Sequence, residues 1–181
     1  MRYTRSILFA IIAVIGVSVI GVNAQNYAAK ATPRSVEEQV YKRLLYVTDY
    51  SVFDHITYQI KGSSVILGGK VYSLGTSRRA AAAVKDIPGV SEVVNNIDEL
   101  PPSPIDDRIR REAYASFVSR GPARYFSEIG PDVRIIVERG RITLEGYVTY
   151  ESDKNLLNIL ANGVSGAFGV TNNLVVGKRS Y

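Results

Sequence analysis

The stretch Val65-Ile66-Leu67-Gly68-Gly69-Lys70-Val71 decides how this chain folds. It returns 77 positions later, from 65 to 142, as Ile142-Thr143-Leu144-Glu145-Gly146-Tyr147-Val148. Apolar residues alternate with other residues in both copies, which predicts a strand with one face on a core and one toward water. Gly69 and Gly146 hold the third inward position of each copy. We expect a crossing helix to approach the backbone there.

The same spacing continues downstream of this strand. Gly89 corresponds to Gly166, and residues 95–97 (Asn-Asn-Ile) correspond to residues 172–174 (Asn-Asn-Leu). The chain is therefore a tandem duplication of a small module. We assign structural roles in the repeated motif to six residues: Gly69, Gly89, Asn96, Gly146, Gly166 and Asn173.

The N-terminus has the features of a secretory signal peptide. Arg2 and Arg5 precede an apolar run over residues 7–22, and a small residue, Ala24, follows its end. A basic start, a short apolar middle and an A-x-A-like end are typical of a signal that is removed on export. The run is shorter than the roughly 20 residues of a membrane-spanning helix. We therefore predict a periplasmic protein; the alternative is an uncleaved signal that anchors the chain in the membrane.

Composition narrows the possible functions. Charged residues make up 22% of the chain and hydrophobic residues 46%, which is typical of a globular protein. The chain has no cysteine, so it can form neither a disulfide nor the thioether anchor of a bacterial lipoprotein. Loss of Arg2 and Arg5 with the signal lowers the net charge from +5 to +3. That excess is too small for a strong nucleic-acid-binding surface, and we expect no nucleic-acid partner.

The periodicities predict the order helix, strand, strand, helix, strand in both copies. Ser35 and Glu38 form a capping box that opens the first helix, and we expect Asp106 to cap the first helix of the second copy. Three prolines within residues 101–104 predict an extended linker that holds the modules apart or at a fixed angle. We divide the chain into a signal peptide (1–24), a flexible arm (25–34), a first module (35–100), a proline-rich linker (101–105), a second module (106–177) and a tail (178–181).

Two motifs make each copy resemble a BON domain, the module named for bacterial osmotically inducible and nodulation proteins. The first is the strand V-x-L-x-G-x-V at 65–71, which is I-x-L-x-G-x-V at 142–148. The second is the ending at 89–97, which matches the family's G-V-x-x-V-x-N-x-L with Ile97 in the last position, with a looser version at 166–174. The resemblance implies an α+β fold of two α-β-β-α-β modules, each a three-stranded mixed sheet with two helices packed on one face. It also implies a non-enzymatic periplasmic protein that associates with phospholipid membranes and supports envelope integrity or the stress response.

The residues themselves give no indication of catalysis. His55, the only histidine, adjoins Asp54, but neighbours on a strand face opposite sides, so the two make no obvious acid–base pair. Its counterpart in the second copy is Asp132. The sequence has no cysteine nucleophile, no metal-ligand cluster and no phosphate-binding glycine loop. We expect a protein that is not an enzyme and has no small-molecule substrate, metal or cofactor.

The first helix of the second copy and the loop after it carry the candidate binding site. Ile109, Ala113 and Phe117 are expected to face the core. Arginines interleaved with apolar and aromatic side chains suit an anionic lipid surface, because rings enter the interface while guanidinium groups meet phosphates. The candidate lipid-binding residues are Arg108, Arg111, Tyr114, Val118, Arg120, Arg124, Tyr125 and Phe126.

Other interpretations compete with this one. Tyr125 and Phe126 could cover the core while the arginines keep the surface soluble, or the helix could pack against the first module. The rival function is a periplasmic protein-interaction or chaperone-like adaptor without direct lipid binding. Such an adaptor would use sheet edges and outward residues such as Ile136 and Tyr147. The expected partner is accordingly an anionic phospholipid surface or an envelope protein, and the sequence does not fix the oligomeric state.

Overall fold

The computed structural model describes residues 35–177, which belong to one compact unit, Arg34–Tyr181. The predicted signal peptide and arm, and the tail at 178–181, lie outside the described residues. Two hydrophobic clusters form within the described range, one in each copy. A chain that begins at Gln25 therefore retains both cores and lacks the apolar N-terminal run.

The first module follows the predicted order, with its last strand in two parts. Its elements are α1 (Val36–Leu45), β1 (His55–Lys61), β2 (Ser64–Val71), α2 (Thr76–Lys85), β3 (Glu92–Asn95) and β4 (Asp98–Glu99). Ser35 begins α1 as expected, because its hydroxyl accepts a hydrogen bond from the N–H of Glu38 at 3.1 Å. The interruption after Asn95 gives the sheet four strands instead of three.

The second module repeats this order with a longer first helix. Its elements are α3 (Pro104–Arg120), a 3-10 helix (Ala123–Tyr125), β5 (Val133–Glu138), β6 (Arg141–Val148), α4 (Glu151–Asn162), β7 (Gly169–Asn172) and β8 (Val175–Val176). The cap of α3 is Ser103, whose hydroxyl accepts from the N–H of Asp106 at 3.2 Å. Pro104 occupies the first turn, where a missing N–H is tolerated. The prediction that Asp106 caps this helix is wrong, since α3 begins inside the predicted linker.

Both sheets have the same mixed topology. β1 pairs antiparallel with β2, which pairs in parallel with β3 and β4, and β5 to β8 repeat this arrangement around β6. The inward residues of the repeated strand, such as Val65 and Leu67, are fully buried. They pack in one cluster with helix residues such as Val40 and Val84. The α+β fold of two tandem modules is confirmed.

The repeated strand glycines take a backbone conformation that other residues rarely adopt. Gly69 has φ +100° and Gly146 has φ +114°. A Cβ atom on Gly69 would lie 2.0 Å from the carbonyl oxygen of His55, and one on Gly146 would lie 1.9 Å from that of Asp132. These close atoms belong to the backbone at the start of β1 (His55) and just before β5 (Asp132), so the predicted crossing helix is wrong. These glycines permit close pairing of two strands.

An asparagine ties the interrupted strand to a helix in both modules. The side-chain oxygen of Asn95 accepts a hydrogen bond from the N–H two residues later at 3.3 Å, and its side-chain nitrogen donates to the carbonyl of Ser77 at 3.3 Å. Asn172 repeats both contacts at 3.2 and 3.1 Å. The sequence interpretation gave the motif role to Asn96 and Asn173. The structure gives the shared role to the preceding asparagine.

Candidate functional site

The helix α3 directs one side to its core and another to solvent. Ile109, Ala113 and Phe117 are fully buried, as the spacing predicted. Arg108 and Arg111 lie on the exposed side. Val118, with 39% of its surface exposed, adds an apolar side chain there. The basic and apolar mixture predicted for this helix is therefore present at its surface.

The neighbouring helix α4 adds two aliphatic side chains that the sequence interpretation did not include in the site. Leu156 is 37% and Ile159 is 67% exposed. Leu160 contacts the end of α3, since a Cβ on Gly121 would lie 3.1 Å from it. The sequence could have indicated this exposure, because four apolar residues within 156–160 cannot all face one core at 3.6 residues per turn. We call the exposed set the helical face: Arg108, Arg111, Val118, Leu156 and Ile159.

The two aromatic candidates in the loop after α3 belong to the core. Tyr125 is 4% and Phe126 is 6% exposed. The Tyr125 hydroxyl accepts a hydrogen bond from the N–H of Thr149 at 2.8 Å and donates to Asp153 at 2.7 Å. The Phe126 ring packs on Phe117, with 5.7 Å between ring centroids. The sequence hypothesis needed these rings at the surface, and the structure places them where they cover the core.

Two of the four candidate arginines are engaged by their own module. Arg124 forms an ion pair with Asp153 and donates to the Tyr125 hydroxyl at 3.3 Å. The hydrogen bond to Tyr125 is the main cause that raises the pKa of Arg124; Asp153 adds to it and burial opposes it. Arg120 donates to the Ser116 hydroxyl at 2.7 Å. Within residues 35–177, this leaves Arg108 and Arg111 as the members of the set whose guanidinium groups are not held by a neighbour.

The remaining candidate, Tyr114, lies between the two modules. Its ring is 6.1 Å from Phe53 of the first module and 6.2 Å from Phe126, both in edge-to-face geometry. Phe53 also contacts Tyr72 at 6.1 Å. Edge-to-face pairs at this spacing are favourable. On this side, α3 packs against the first module, which was one of the alternatives to lipid contact.

Two buried arginines of the second module face tyrosines of the first. Arg110 is 2% exposed, and its guanidinium carbon lies 4.4 Å from the centre of the Tyr72 ring. Arg134 is 4% exposed, lies 4.5 Å from the Tyr50 ring and donates to the carbonyl of Ser51 at 2.8 Å. A desolvated cation–π contact of this kind contributes about 2 kcal/mol. No periodicity in the sequence distinguishes these arginines from surface ones.

The free edge of β5 is covered by the first module. The N–H of Ile135 donates to the carbonyl of Val52 at 2.8 Å. Ile136 points away from its own core but is only 5% exposed. An ion pair between Lys70 and Glu138 joins the same surfaces. Of the two arrangements predicted for the linker, the one that holds the modules apart is wrong. Ile136, one of the outward residues that the adaptor hypothesis offered for partner contacts, is covered.

Asp54 and His55, the neighbouring residues considered for catalysis, have separate partners in the structure. Asp54 is fully buried, and its carboxylate accepts hydrogen bonds from the N–H and hydroxyl of Ser51 at 2.6 and 2.7 Å and from the N–H of Tyr72 at 2.6 Å. His55 lies 3.8 Å from Glu145. No group of three or more metal-binding side chains occurs within 35–177. None of the helices in that range has the length and apolar character needed to cross a bilayer.

A family model described as BON domain matches the chain twice, at residues 34–101 and 106–178. No curated protein sequence matches it. Among solved structures, the chain is similar to the C-terminal domain of CdsD, the structural protein of the type III secretion system of Chlamydia trachomatis. That likeness has 12% identity and a TM-score of 0.32, and covers 76% of this chain and 96% of that chain. A second CdsD structure has 12% identity, a TM-score of 0.31 and coverage of 79% and 93%.

The double match confirms the family resemblance seen in the repeated strand and the asparagine-containing ending. BON domains are generally non-catalytic and occur in periplasmic and envelope proteins. The match therefore supports a non-enzymatic, envelope-associated role.

Proposed function

The chain belongs to the BON domain family, and we propose that it is a periplasmic binding protein that associates weakly with anionic phospholipid surfaces. In this proposal the association supports envelope integrity under osmotic or other envelope stress. The observation that carries it is the helical face: Arg108, Arg111 and Val118 are exposed on α3, and Leu156 and Ile159 are exposed on the adjacent helix α4. Such a surface is amphipathic in the way that interfacial binding requires.

The small number of basic groups on the helical face makes the expected lipid binding weak and sensitive to salt. Each basic group near an anionic membrane contributes about 1 kcal/mol. Two acidic side chains of these helices have partners of their own: Glu112 accepts a hydrogen bond from the N–H of Ser165 at 2.9 Å, and Asp153 holds Arg124. Since the Debye length falls to about 8 Å at physiological ionic strength, added salt weakens the attraction.

Vesicle co-sedimentation tests the proposal. A chain of residues 25–181, which lacks the apolar run, should pellet with phosphatidylglycerol vesicles at low salt, less at physiological salt, and not with phosphatidylcholine vesicles. The substitution Arg111→Glu should weaken binding at least fivefold, since it removes one favourable charge and adds a repulsive one. Arg78→Glu on the exposed surface of α2 is the matched control and should bind as the parent does. Absence of pelleting at low salt would overturn the proposal.

The adaptor function is the competing outcome of the same experiment. The covered edge of β5 and the burial of Ile136 remove two features on which it rested. Suppression of aggregation of a denatured client by a chain that does not pellet with either vesicle would favour it over lipid association.

A further inference from the structure

One end of the second module carries an exposed aromatic ring. Phe168, in the loop before β7, is 79% exposed. Its N–H donates to the carbonyl of Gly140 in the β5–β6 turn at 2.8 Å. Its ring covers this turn, because a Cβ on Gly140 would lie 2.5 Å from a ring carbon. The ring is therefore held in place by the hairpin and yet faces solvent.

The start of α3 lies at the same end. The buried carboxylate of Asp106 accepts hydrogen bonds from the N–H groups of Arg139 and Gly140 at 3.0 and 2.7 Å. This fixes the first turn of the helix to the hairpin. Ile105, the preceding residue, is 59% exposed. Two large apolar side chains thus stand in solvent at one end of the module.

Three exposed arginines surround these side chains. Arg139 and Arg141 flank the turn, and Arg108 is on the first turns of α3. Arg108 reaches the loop before Phe168, since a Cβ on Gly166 would lie 2.8 Å from its guanidinium group. Arg141 lies 3.1 Å from the Cβ position of the residue after Phe168. We call this set the arginine tip: Ile105, Arg108, Arg139, Arg141 and Phe168.

The acidic groups near the arginine tip are held by other partners. Asp106 is buried against the turn. Asp107 pairs with Arg110 at 2.6 Å, and Glu138 pairs with Lys70 of the first module. Three arginines against the carboxylate of Asp106 leave the tip with a net positive charge around exposed apolar groups.

The first module shows that the backbone does not require this composition. Ser91 occupies the position of Phe168, and its N–H donates to the carbonyl of Ser63 at 2.9 Å, as Phe168 does to the turn in the second module. The hydroxyls of Ser63 and Ser91 are hydrogen bonded at 2.6 Å, and Ser64 donates to Glu92 at 2.8 Å. The same turn is thus polar in one copy and aromatic and basic in the other. Folding alone does not explain the difference.

We infer that the arginine tip is the part of the second module that enters the lipid interface. Phe168 and Ile105 insert at the boundary between headgroups and acyl chains, and the arginines bind the lipid phosphates. The inference rests on the proposed function and specifies its geometry. The module meets the membrane with the end that holds the first turn of α3. Arg108 belongs to both the tip and the helical face, whereas Val118, about 15 Å further along the helix axis, does not enter the interface in this orientation.

A single-tryptophan reporter tests this geometry, because the chain contains no tryptophan. Phe168→Trp places the reporter at the tip, and Ser91→Trp places it at the matched turn of the first module. Both are made in residues 25–181 and mixed with phosphatidylglycerol vesicles that carry brominated acyl chains. We expect emission of the Phe168→Trp chain to shift to shorter wavelength and to be quenched, while emission of the Ser91→Trp chain does neither. Arg139→Ala and Arg141→Ala should each weaken pelleting about fivefold.

The outcomes separate the inference from the proposed function. If the Phe168→Trp chain pellets with vesicles but its emission keeps the wavelength and intensity measured without vesicles, the tip inference is overturned and lipid association stands. Equal quenching of both reporters would also overturn it, since the first module would then enter the membrane as well. If neither the parent nor the variants pellet, the proposed function fails and the tip inference fails with it.

Discussion

Replacement of Gly69 by alanine tests how the repeated strand determines the fold. A residue other than glycine at φ +100° costs about 1–3 kcal/mol in backbone strain. The new Cβ would lie 2.0 Å from the carbonyl oxygen of His55, far inside normal contact, so β1 and β2 must separate locally. Overpacking of this kind costs a further 1–3 kcal/mol or so. We expect Gly69→Ala to lower the free energy of unfolding by about 3–4 kcal/mol.

The control for this substitution lies in the same hairpin. Gly62 also has positive φ, +62°, but an added Cβ would meet no atom within 4 Å. Gly62→Ala should therefore lose only about 1 kcal/mol, the strain of the left-handed conformation. Urea unfolding followed by circular dichroism measures both values. In thermal unfolding, Gly69→Ala should lower Tm by roughly 10 °C for a chain of this size.

Two results would refute this reasoning. Equal destabilisation by both substitutions would show that the close approach of the strands does not matter. Unchanged stability of Gly69→Ala with lost vesicle binding would show that the glycine serves a ligand and not the fold.

Three further predictions concern tertiary contacts. Asn172→Ala should lose about 1–2 kcal/mol of stability because it breaks two hydrogen bonds to the backbone. The control Asn173→Ala breaks an exposed hydrogen bond to the Glu145 carboxylate and should lose less than about 0.5 kcal/mol. Tyr125→Phe should lose about 0.5–1.5 kcal/mol, since it removes the hydroxyl that bonds the N–H of exposed Thr149 and the carboxylate of Asp153, and should leave vesicle pelleting unchanged. Tyr72→Ala removes ring contacts at the module interface, so we expect calorimetry to resolve two unfolding transitions for this variant and one for the parent chain.

The elements and their cores were predictable because they depend on local periodicity. The alternation in 65–71 and the spacing of Ile109, Ala113 and Phe117 each identify a buried face without any knowledge of the other module. The duplication strengthened these predictions, since the same pattern appeared twice.

Contacts between the modules were not predictable in this way. The segment from Val47 to Asp54 has no periodicity, yet Val52 pairs with β5 and Phe53 packs against Tyr114. Arg110 and Arg134 look like surface residues in the sequence, but both are buried and lie against tyrosines of the other module.

The candidate site was predicted in part. Arg108, Arg111 and Val118 are exposed as expected, because a helical wheel gives the direction of each side chain. The wheel does not extend into the loop, where Tyr125 turns inward to bond Asp153. Phe168 is separated from α3 by some fifty residues of sequence and comes beside its first turn only through the β5–β6 hairpin.

The central claim is that the second module binds anionic lipid, and co-sedimentation of residues 25–181 with phosphatidylglycerol vesicles at two salt concentrations tests it most directly. The account predicts pelleting at low salt that decreases at physiological salt and is weakened by Arg111→Glu but not by Arg78→Glu. A chain that stays in the supernatant at both salt concentrations would contradict it, and so would equal loss of binding in the two variants.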